Sequence, residues 1–230
     1  GQSPAKNPPV WVTRAVPAPG VTHHVFACPS TKGNVSYHLY RPAAYADETR
    51  RFPVVYWLHG SGGGLPGIPV VARRFEAAIT AGKLPPCLVV FVNGLEMGMY
   101  VDWADGSAPV ESMIIRDLIP HIDATHRTLA ERHGRLIEGF SMGGRGSTHL
   151  AMRNPDMFGS LFNQRGNVYH VSDVSKAPNF HLGRDPERLK ANDPYLNLIK
   201  NLDFIKANLR IQVACGTADP EHLNTVRKYH

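Results

Sequence analysis

The sequence predicts an α/β fold with an open, mostly parallel central sheet and helices on both of its faces. Nearly continuous apolar runs, such as residues 54–58 and 88–92, are typical of strands that are buried on both faces of a parallel sheet. Between such runs lie stretches such as residues 112–125, in which apolar residues recur at helical spacing. Strands that alternate with helices along the 230 residues indicate one layered α/β sheet.

The other elements are predicted from local patterns. Residues 23–28 and 35–40 alternate like strands of a half-exposed antiparallel edge. Further strands are predicted at residues 136–140, 160–162 and 209–215, and further helices at 70–81 and 142–153. Pro120 is expected to kink or end the helix that contains it. Residues 165–194, rich in Asn, Asp and Pro, are expected to form a lid or substrate wall.

The length and composition suit one domain, predicted at residues 11–230 after a flexible linker at residues 1–10. No run of 18 apolar residues is present, so no transmembrane helix is predicted. The formal charge is +6, but Lys and Arg are scattered rather than arranged in a basic stripe with aromatic residues. We therefore expect a solvated basic surface and no nucleic-acid partner.

Cysteine and histidine patterns favour neither a disulfide scaffold nor a metal site. The three cysteines leave at least one thiol free, and a single bridge stays open as an alternative. Twelve histidines are present, but no H-E-x-x-H motif and no paired ligand spacing on one helical face. We expect no metal and no cofactor.

The strongest motif is Gly139-Phe140-Ser141-Met142-Gly143, a G-x-S-x-G between a predicted strand and a predicted helix. A serine in such a turn has its hydroxyl lifted clear of the sheet, and the glycines avoid contact between a β-carbon and neighbouring backbone. Ser141 is therefore the candidate nucleophile. The alternative is a glycine-rich turn whose serine only caps the helix.

A second motif, His59-Gly60-Ser61-Gly62-Gly63-Gly64, follows the predicted strand at residues 54–58. Its glycines allow backbone amides to approach a ligand, and we predict that the amides of Ser61 and Met142 form an oxyanion hole. A phosphate-binding loop is excluded, because no Gly-Lys-Ser/Thr follows. His59 at the strand end is expected to support the loop rather than to act as a base.

The candidate acid is Asp219, in a turn after the predicted strand at residues 209–215. The order Ser…Asp suits this arrangement, although Asp219 before Pro220 also reads as a helix N-cap. The rival carboxylates are Asp173, Asp185 and Asp193, which lie in loop-like segments.

These motifs, together with Tyr56-Trp57-Leu58-His59-Gly60 and Asp117-Leu118-Ile119-Pro120-His121-Ile122-Asp123, resemble esterase D-type serine hydrolases. That group includes the feruloyl and acetyl xylan esterases of carbohydrate esterase family 1. The resemblance covers residue 52 to the C-terminus. It implies an α/β-hydrolase fold and ester hydrolysis through an acyl-serine, with Ser141 as nucleophile, Asp219 as acid, and Ser61 and Met142 at the oxyanion hole. With the composition of the N-terminus, it also favours a secreted or periplasmic location and a polysaccharide-linked ester substrate.

The general base is missing from this pattern. In the family a histidine follows one more helix and strand, which need roughly 25 residues beyond Asp219, and only residues 220–230 follow. The last helix, strand and helix are thus expected to be absent from the sequence. His222 is too close to Asp219 on the predicted helix to bridge it to Ser141, and His230 is carried away from the strand ends. His170 precedes Asp219, whereas the family's base follows the acid, so no base is assigned. An acyltransferase, or a binding module that has lost its base, remains an alternative.

Two aromatic residues, Tyr100 and Trp103, follow the strand at residues 88–92 on the loop side. Their rings are candidates for stacking on a sugar or an aromatic acyl group, and an ordinary packed loop is the alternative.

Overall fold

The computed structural model describes residues 8–168 and 181–219, and within them one mixed sheet has seven strands. The order across the sheet is β1-β2-β4-β3-β5-β6-β7. β1 pairs antiparallel with β2 and β2 with β4, whereas every pair from β4 to β7 is parallel. The strands are β1 (Val21–Cys28), β2 (Gly33–Tyr40), β3 (Val54–Leu58), β4 (Leu88–Phe91), β5 (Arg135–Phe140), β6 (Ser160–Gln164) and β7 (Arg210–Ala214). The predicted fold class is confirmed.

Helices connect the parallel strands. They are α1 (Ile68–Thr80), α2 (Val110–Ser112), α3 (Ile119–Thr125), α4 (Met142–Arg153), α5 (Pro186–Ala191), α6 (Pro194–Lys200) and α7 (Leu202–Asn208). A π-helical segment, Met113–Leu118, joins α2 to α3, and short 3₁₀ turns occupy Ala43–Ala46, Leu65–Gly67 and Arg132–Gly134. No helix in the described residues has the length and apolar character that a membrane span requires.

Two cores cover the two faces of the sheet, which explains the continuous apolar runs of β3 and β4. On one face Trp57 and Phe91 pack with Ile68 and Ala72 of α1. On the other face the main core includes Tyr56 of β3 together with side chains of the π-helical segment and of α4. Because both faces of the central strands are buried, alternate positions are apolar on both sides.

Pro120 was expected to kink or end its helix, but the helix does not end there. It lies at the second position of α3, where the π-helical segment gives way to α-helix. A proline has no N–H to donate, and the first turn of a helical segment does not need that donor. The chain therefore continues as a helix through residue 125.

The segment predicted as a lid or substrate wall, residues 165–194, contains helical structure in the part that the structure describes. β6 extends to Gln164, and α5 and α6 begin at Pro186 and Pro194. Each of these helices is preceded by an aspartate whose carboxylate accepts backbone N–H bonds, Asp185 from Glu187 and Asp193 from Tyr195 and Leu196. The Asp-Pro pairs are N-cap signals as well as loop signals. Residues 169–180 lie outside the described residues.

Candidate active site

Ser141 occupies a sharp turn between β5 and α4, as the motif predicts. Its backbone is at φ +54° and ψ −116°, a left-handed conformation that a non-glycine residue adopts only when its surroundings impose it. The side chain makes no capping hydrogen bond to α4, so the structure does not support the alternative that Ser141 only caps a helix. Its N–H donates to the carbonyl of Gln164 at 2.9 Å, which attaches the turn to the end of β6.

Glycine is required next to Ser141 because the backbones approach closely. A β-carbon on Gly143 would lie 2.0 Å from the carbonyl oxygen of Leu58, and one on Gly139 would lie 2.3 Å from Gly143 itself. Both distances are well inside van der Waals contact. The glycines therefore let α4 start directly against the ends of β3 and β5, which presents the Ser141 side chain at that edge.

The glycine loop after β3 lies beside this serine. A β-carbon on Gly60 would be 3.6 Å from the Ser141 β-carbon. Ser61 is exposed, and Gly62 N–H donates to the Glu96 carbonyl at 2.9 Å, which holds the loop from its other side. The two predicted oxyanion donors, Ser61 and Met142, thus belong to segments that meet at Ser141.

Met142 is the first residue of α4, so its N–H is one of the amides that an α-helix leaves without an internal partner. The positive end of the helix dipole lies at the same place and favours an anion there. This electrostatic field would therefore stabilise an oxyanion on an acyl carbon that is bonded to Ser141 Oγ.

His59 is a supporting residue. Its ring is 3% exposed, Nε2 accepts from the Gly94 N–H at 3.3 Å, and Nδ1 donates to the Gly60 carbonyl at 2.7 Å. Burial lowers the pKa of His59, and the bond to Gly60 only partly offsets this. With both nitrogens occupied and the ring neutral, His59 fixes the start of the glycine loop, in agreement with the sequence interpretation.

Asp219 is linked to the Ser141 turn through two adjacent residues, Gln164 and Arg165. The Nε atom of Arg165 lies 2.5 Å from Oδ2 of Asp219, and the Arg165 N–H donates to the Ala214 carbonyl at 2.8 Å. Arg165 directly follows Gln164, whose carbonyl accepts from Ser141. The carboxyl ends of β5, β6 and β7 therefore carry Ser141, Arg165 and Asp219 in order.

The sequence reading missed Arg165 and Asn163. Asn163 is buried, donates to Thr148 on α4 at 2.8 Å, and accepts from the Gly166 N–H at 2.7 Å. It thereby clamps the turn after β6 against α4. The only local signal for these two residues was the polar run Asn163-Gln164-Arg165-Gly166 at a strand end. That run does not reveal the contact of Asn163 with α4.

Among the rival acids, Asp185 and Asp193 serve as helix N-caps, and Asp173 lies outside the described residues. The histidines weighed as bases, His170, His222 and His230, also lie outside them. Residues 8–168 and 181–219 contain no group of three or more His, Cys, Asp or Glu side chains arranged so that they could hold a metal ion.

The expectation that Tyr100 stacks on a ligand is wrong, because its side chain is fully buried. Trp103 is half-buried, and its ring stacks on His181 with centroids 3.8 Å apart. Trp103 also lines a cavity of about 730 Å³, together with Met97 and Gly62–Gly64. Ser141 is not among the lining residues, so the cavity lies beside the glycine loop rather than over the serine.

Known proteins share this fold. An S-formylglutathione hydrolase from Agrobacterium tumefaciens superposes with a TM-score of 0.66 at 17% identity, covering 84% of this chain and 85% of that chain. A ferulic acid esterase superposes with a TM-score of 0.62 at 18% identity, covering 90% and 93% of the two chains. The mostly parallel sheet with its helices is the α/β-hydrolase fold.

Sequence comparison assigns the family within this fold. The chain matches the family described as “Putative esterase” over residues 28–228, and it belongs to that family. An esterase of Mycobacterium tuberculosis is 29% identical over 228 residues, with 88% of this chain and 47% of that protein covered. An endo-1,4-beta-xylanase/feruloyl esterase of Xylanibacter ruminicola is 29% identical over 166 residues, with 66% and 21% covered. The chain spans less than half the length of these curated relatives.

Proposed function

We propose that this protein hydrolyses carboxylic esters through an acyl-serine formed on Ser141. The observation that carries the proposal is the strained turn at φ +54°, which places Ser141 between the start of α4 and the glycine loop. Family membership and the esterase relatives support the same reaction class.

In the proposed reaction, Ser141 Oγ attacks the ester carbonyl carbon and the carbonyl oxygen becomes an oxyanion. The amides of Ser61 and Met142 stabilise that charge, and loss of one such donor typically costs about 3–4 kcal/mol of barrier. Collapse of the intermediate breaks the bond to the alcohol, which takes up the proton that left Ser141. Water then hydrolyses the acyl-serine to the acid and restores the hydroxyl.

The proton of Ser141 needs a base, and within the described residues no histidine hydrogen-bonds to Ser141. Strand ends two positions apart in a sheet are separated by about 10 Å. An imidazole with a hydrogen bond at each nitrogen spans most of such a distance, so a histidine between Ser141 and Asp219 completes the proposed triad. Asp219, held by Arg165, orients that histidine.

We propose acylated plant polysaccharides as a substrate source, on the strength of the xylanase/feruloyl esterase relative. Trp103 and the adjacent cavity provide aromatic and apolar surface beside the glycine loop for part of such a substrate. A secreted or periplasmic location follows from that substrate class as part of the same proposal.

The test is ester turnover by the full-length protein and its Ser141→Ala variant, with p-nitrophenyl acetate and methyl ferulate as substrates. We expect the variant to keep only residual catalysis, roughly 10³–10⁴ over water. Ser147→Ala is the matched control, because it removes a hydroxyl of the same helix that bonds only to backbone carbonyls. Mass spectrometry should find the acyl group, or a fluorophosphonate probe, on the peptide that contains Ser141.

Equal turnover by wild type and Ser141→Ala would refute the proposal. Absence of turnover and of probe labelling in the full-length wild type would instead favour a binding module. Acyl transfer to an added alcohol that outpaces hydrolysis would identify an acyltransferase.

A further inference from the structure

Tyr100 is an unusual buried residue. It has no exposed surface, and both it and Met99 are in the left-handed region, at φ +57° and +55°. Bulky residues rarely adopt this strained conformation, which persists only where the surroundings impose it. Such outliers concentrate at functional sites, which suggests that the contacts of Tyr100 serve the active site.

On one side Tyr100 holds the glycine loop. Its hydroxyl donates to the His59 carbonyl oxygen at 3.0 Å. Burial raises the pKa of Tyr100, so the hydroxyl keeps the proton that it donates. His59 begins the loop that carries Ser61 two residues later. The hydroxyl of Tyr100 therefore restrains the segment that supplies one predicted oxyanion donor.

On the other side Tyr100 packs against α4. A β-carbon on Gly146 would lie 2.3 Å from Cδ2 of the Tyr100 ring, so the ring rests directly on the helix backbone. Gly146 is one turn from Met142, which carries the other predicted donor. The Tyr100 ring also lies against Gly94, whose N–H binds the His59 ring.

We propose that Tyr100 is a positioning residue that sets the spacing between the Ser61 and Met142 amides. Its ring contacts the helix of one donor, and its hydroxyl bonds to the loop of the other. The inference rests on the proposed esterase function. Stabilisation of an oxyanion depends on donors held about 2.7–3.1 Å from that oxygen, so a shift of the loop affects the transition state more than the bound ester.

The test compares Tyr100→Phe with wild type in the full-length protein. This change removes the bond to His59 and keeps the ring, so the packing against Gly146 is retained. Tyr37→Phe is the matched control, because Tyr37 is 1% exposed and its hydroxyl bonds to His121 and His126 instead. Titration with a fluorophosphonate counts reactive Ser141, so each kcat refers to folded enzyme only.

For Tyr100→Phe we expect kcat for p-nitrophenyl acetate to fall about tenfold or more, with KM changed less than twofold. Affinity for an aliphatic trifluoromethyl ketone should fall by a similar factor, because its adduct on Ser141 places an oxyanion against the same two amides. Tyr37→Phe should leave kcat and the ketone affinity unchanged.

Unchanged kcat and ketone affinity in Tyr100→Phe would overturn the positioning role and leave the esterase proposal intact. Equal losses of kcat and ketone affinity in Tyr100→Phe and Tyr37→Phe would also overturn the positioning role. They would show that removal of any buried tyrosine hydroxyl has this effect. Wild type without Ser141-dependent turnover would refute the proposed function itself, and the positioning role with it.

Discussion

Glu111 and His149 form a buried pair across the interface of α2 and α4, with Oε2 and Nε2 3.0 Å apart. His149 is fully buried, and the other Glu111 oxygen lies 3.0 Å from Nε of Arg153, also on α4. Burial by itself raises the pKa of Glu111, but His149 and Arg153 outweigh it and lower the pKa to about 2. The helix that carries Ser141 is thus fixed by charge as well as by packing.

Replacing this carboxylate should destabilise the fold strongly. Glu111→Ala leaves His149 and Arg153 without their partner, and breaking one side of a buried pair typically costs about 3–5 kcal/mol. Urea unfolding measures the change. Glu187→Ala, which breaks the exposed pair with Lys190, should cost at most about 1 kcal/mol.

The Glu111 contribution should also depend on pH. The folded pKa lies below the ordinary value of 4.5, so this stabilisation is fully present above pH 4.5 and is lost as the pH falls toward 2. The stability difference between wild type and Glu111→Ala should therefore shrink over that interval. A difference that stays constant from pH 6 to 2.5 would contradict the assignment.

Histidines of β1 and of the α3 region surround Tyr37 of β2. This cluster predicts a second loss of stability on acidification, at a higher pH than the loss at Glu111. The Tyr37 hydroxyl contacts His126 Nε2 at 3.1 Å and His121 Nε2 at 3.2 Å, and the His24 ring stacks on Tyr37. Burial, followed by the charges of His24, Arg41 and His121, lowers the pKa of His126 to about 4.

Because His126 is neutral in the folded protein and has an ordinary pKa of 6.5 when unfolded, unfolding takes up a proton below pH 6.5. Stability is therefore present above pH 6.5 and is lost as the pH falls toward 4. We expect His126→Gln to flatten the dependence of Tm on pH in that range. His133→Gln, at an exposed ring, is the control for loss of a histidine outside this cluster.

The close approach at Gly143 predicts a large effect of a single methyl group. Gly143→Ala places a β-carbon 2.0 Å from the Leu58 carbonyl, which forces α4 away from β3. Overpacking of this kind typically costs about 1–3 kcal/mol or more, and the displaced Met142 amide should also lower kcat. Gly33→Ala, with its nearest neighbour at 3.9 Å, should leave Tm and kcat unchanged. Wild-type Tm and kcat in Gly143→Ala would show that the turn tolerates a side chain.

Local patterns were sufficient for the elements that carry Ser141. β3 and α4 begin and end at the predicted residues, because continuous apolar runs and the Gly139 to Gly143 motif are properties of adjacent residues. The helices α5 and α6 were not predicted, since the Asp-Pro pairs that precede them also occur in loops. The pattern also could not show that the helix passes through Pro120.

Local sequence patterns were enough to predict the α/β class, the strand–turn–helix around Ser141, and the position of Asp219 after a later strand. The burial of Tyr100 between the glycine loop and α4, and the pairing of Arg165 with Asp219, were visible only in the folded chain. This difference arises from the range of the interactions. Turn geometry and strand periodicity depend on neighbouring residues, whereas burial and ion pairing depend on segments that come together only when the sheet assembles.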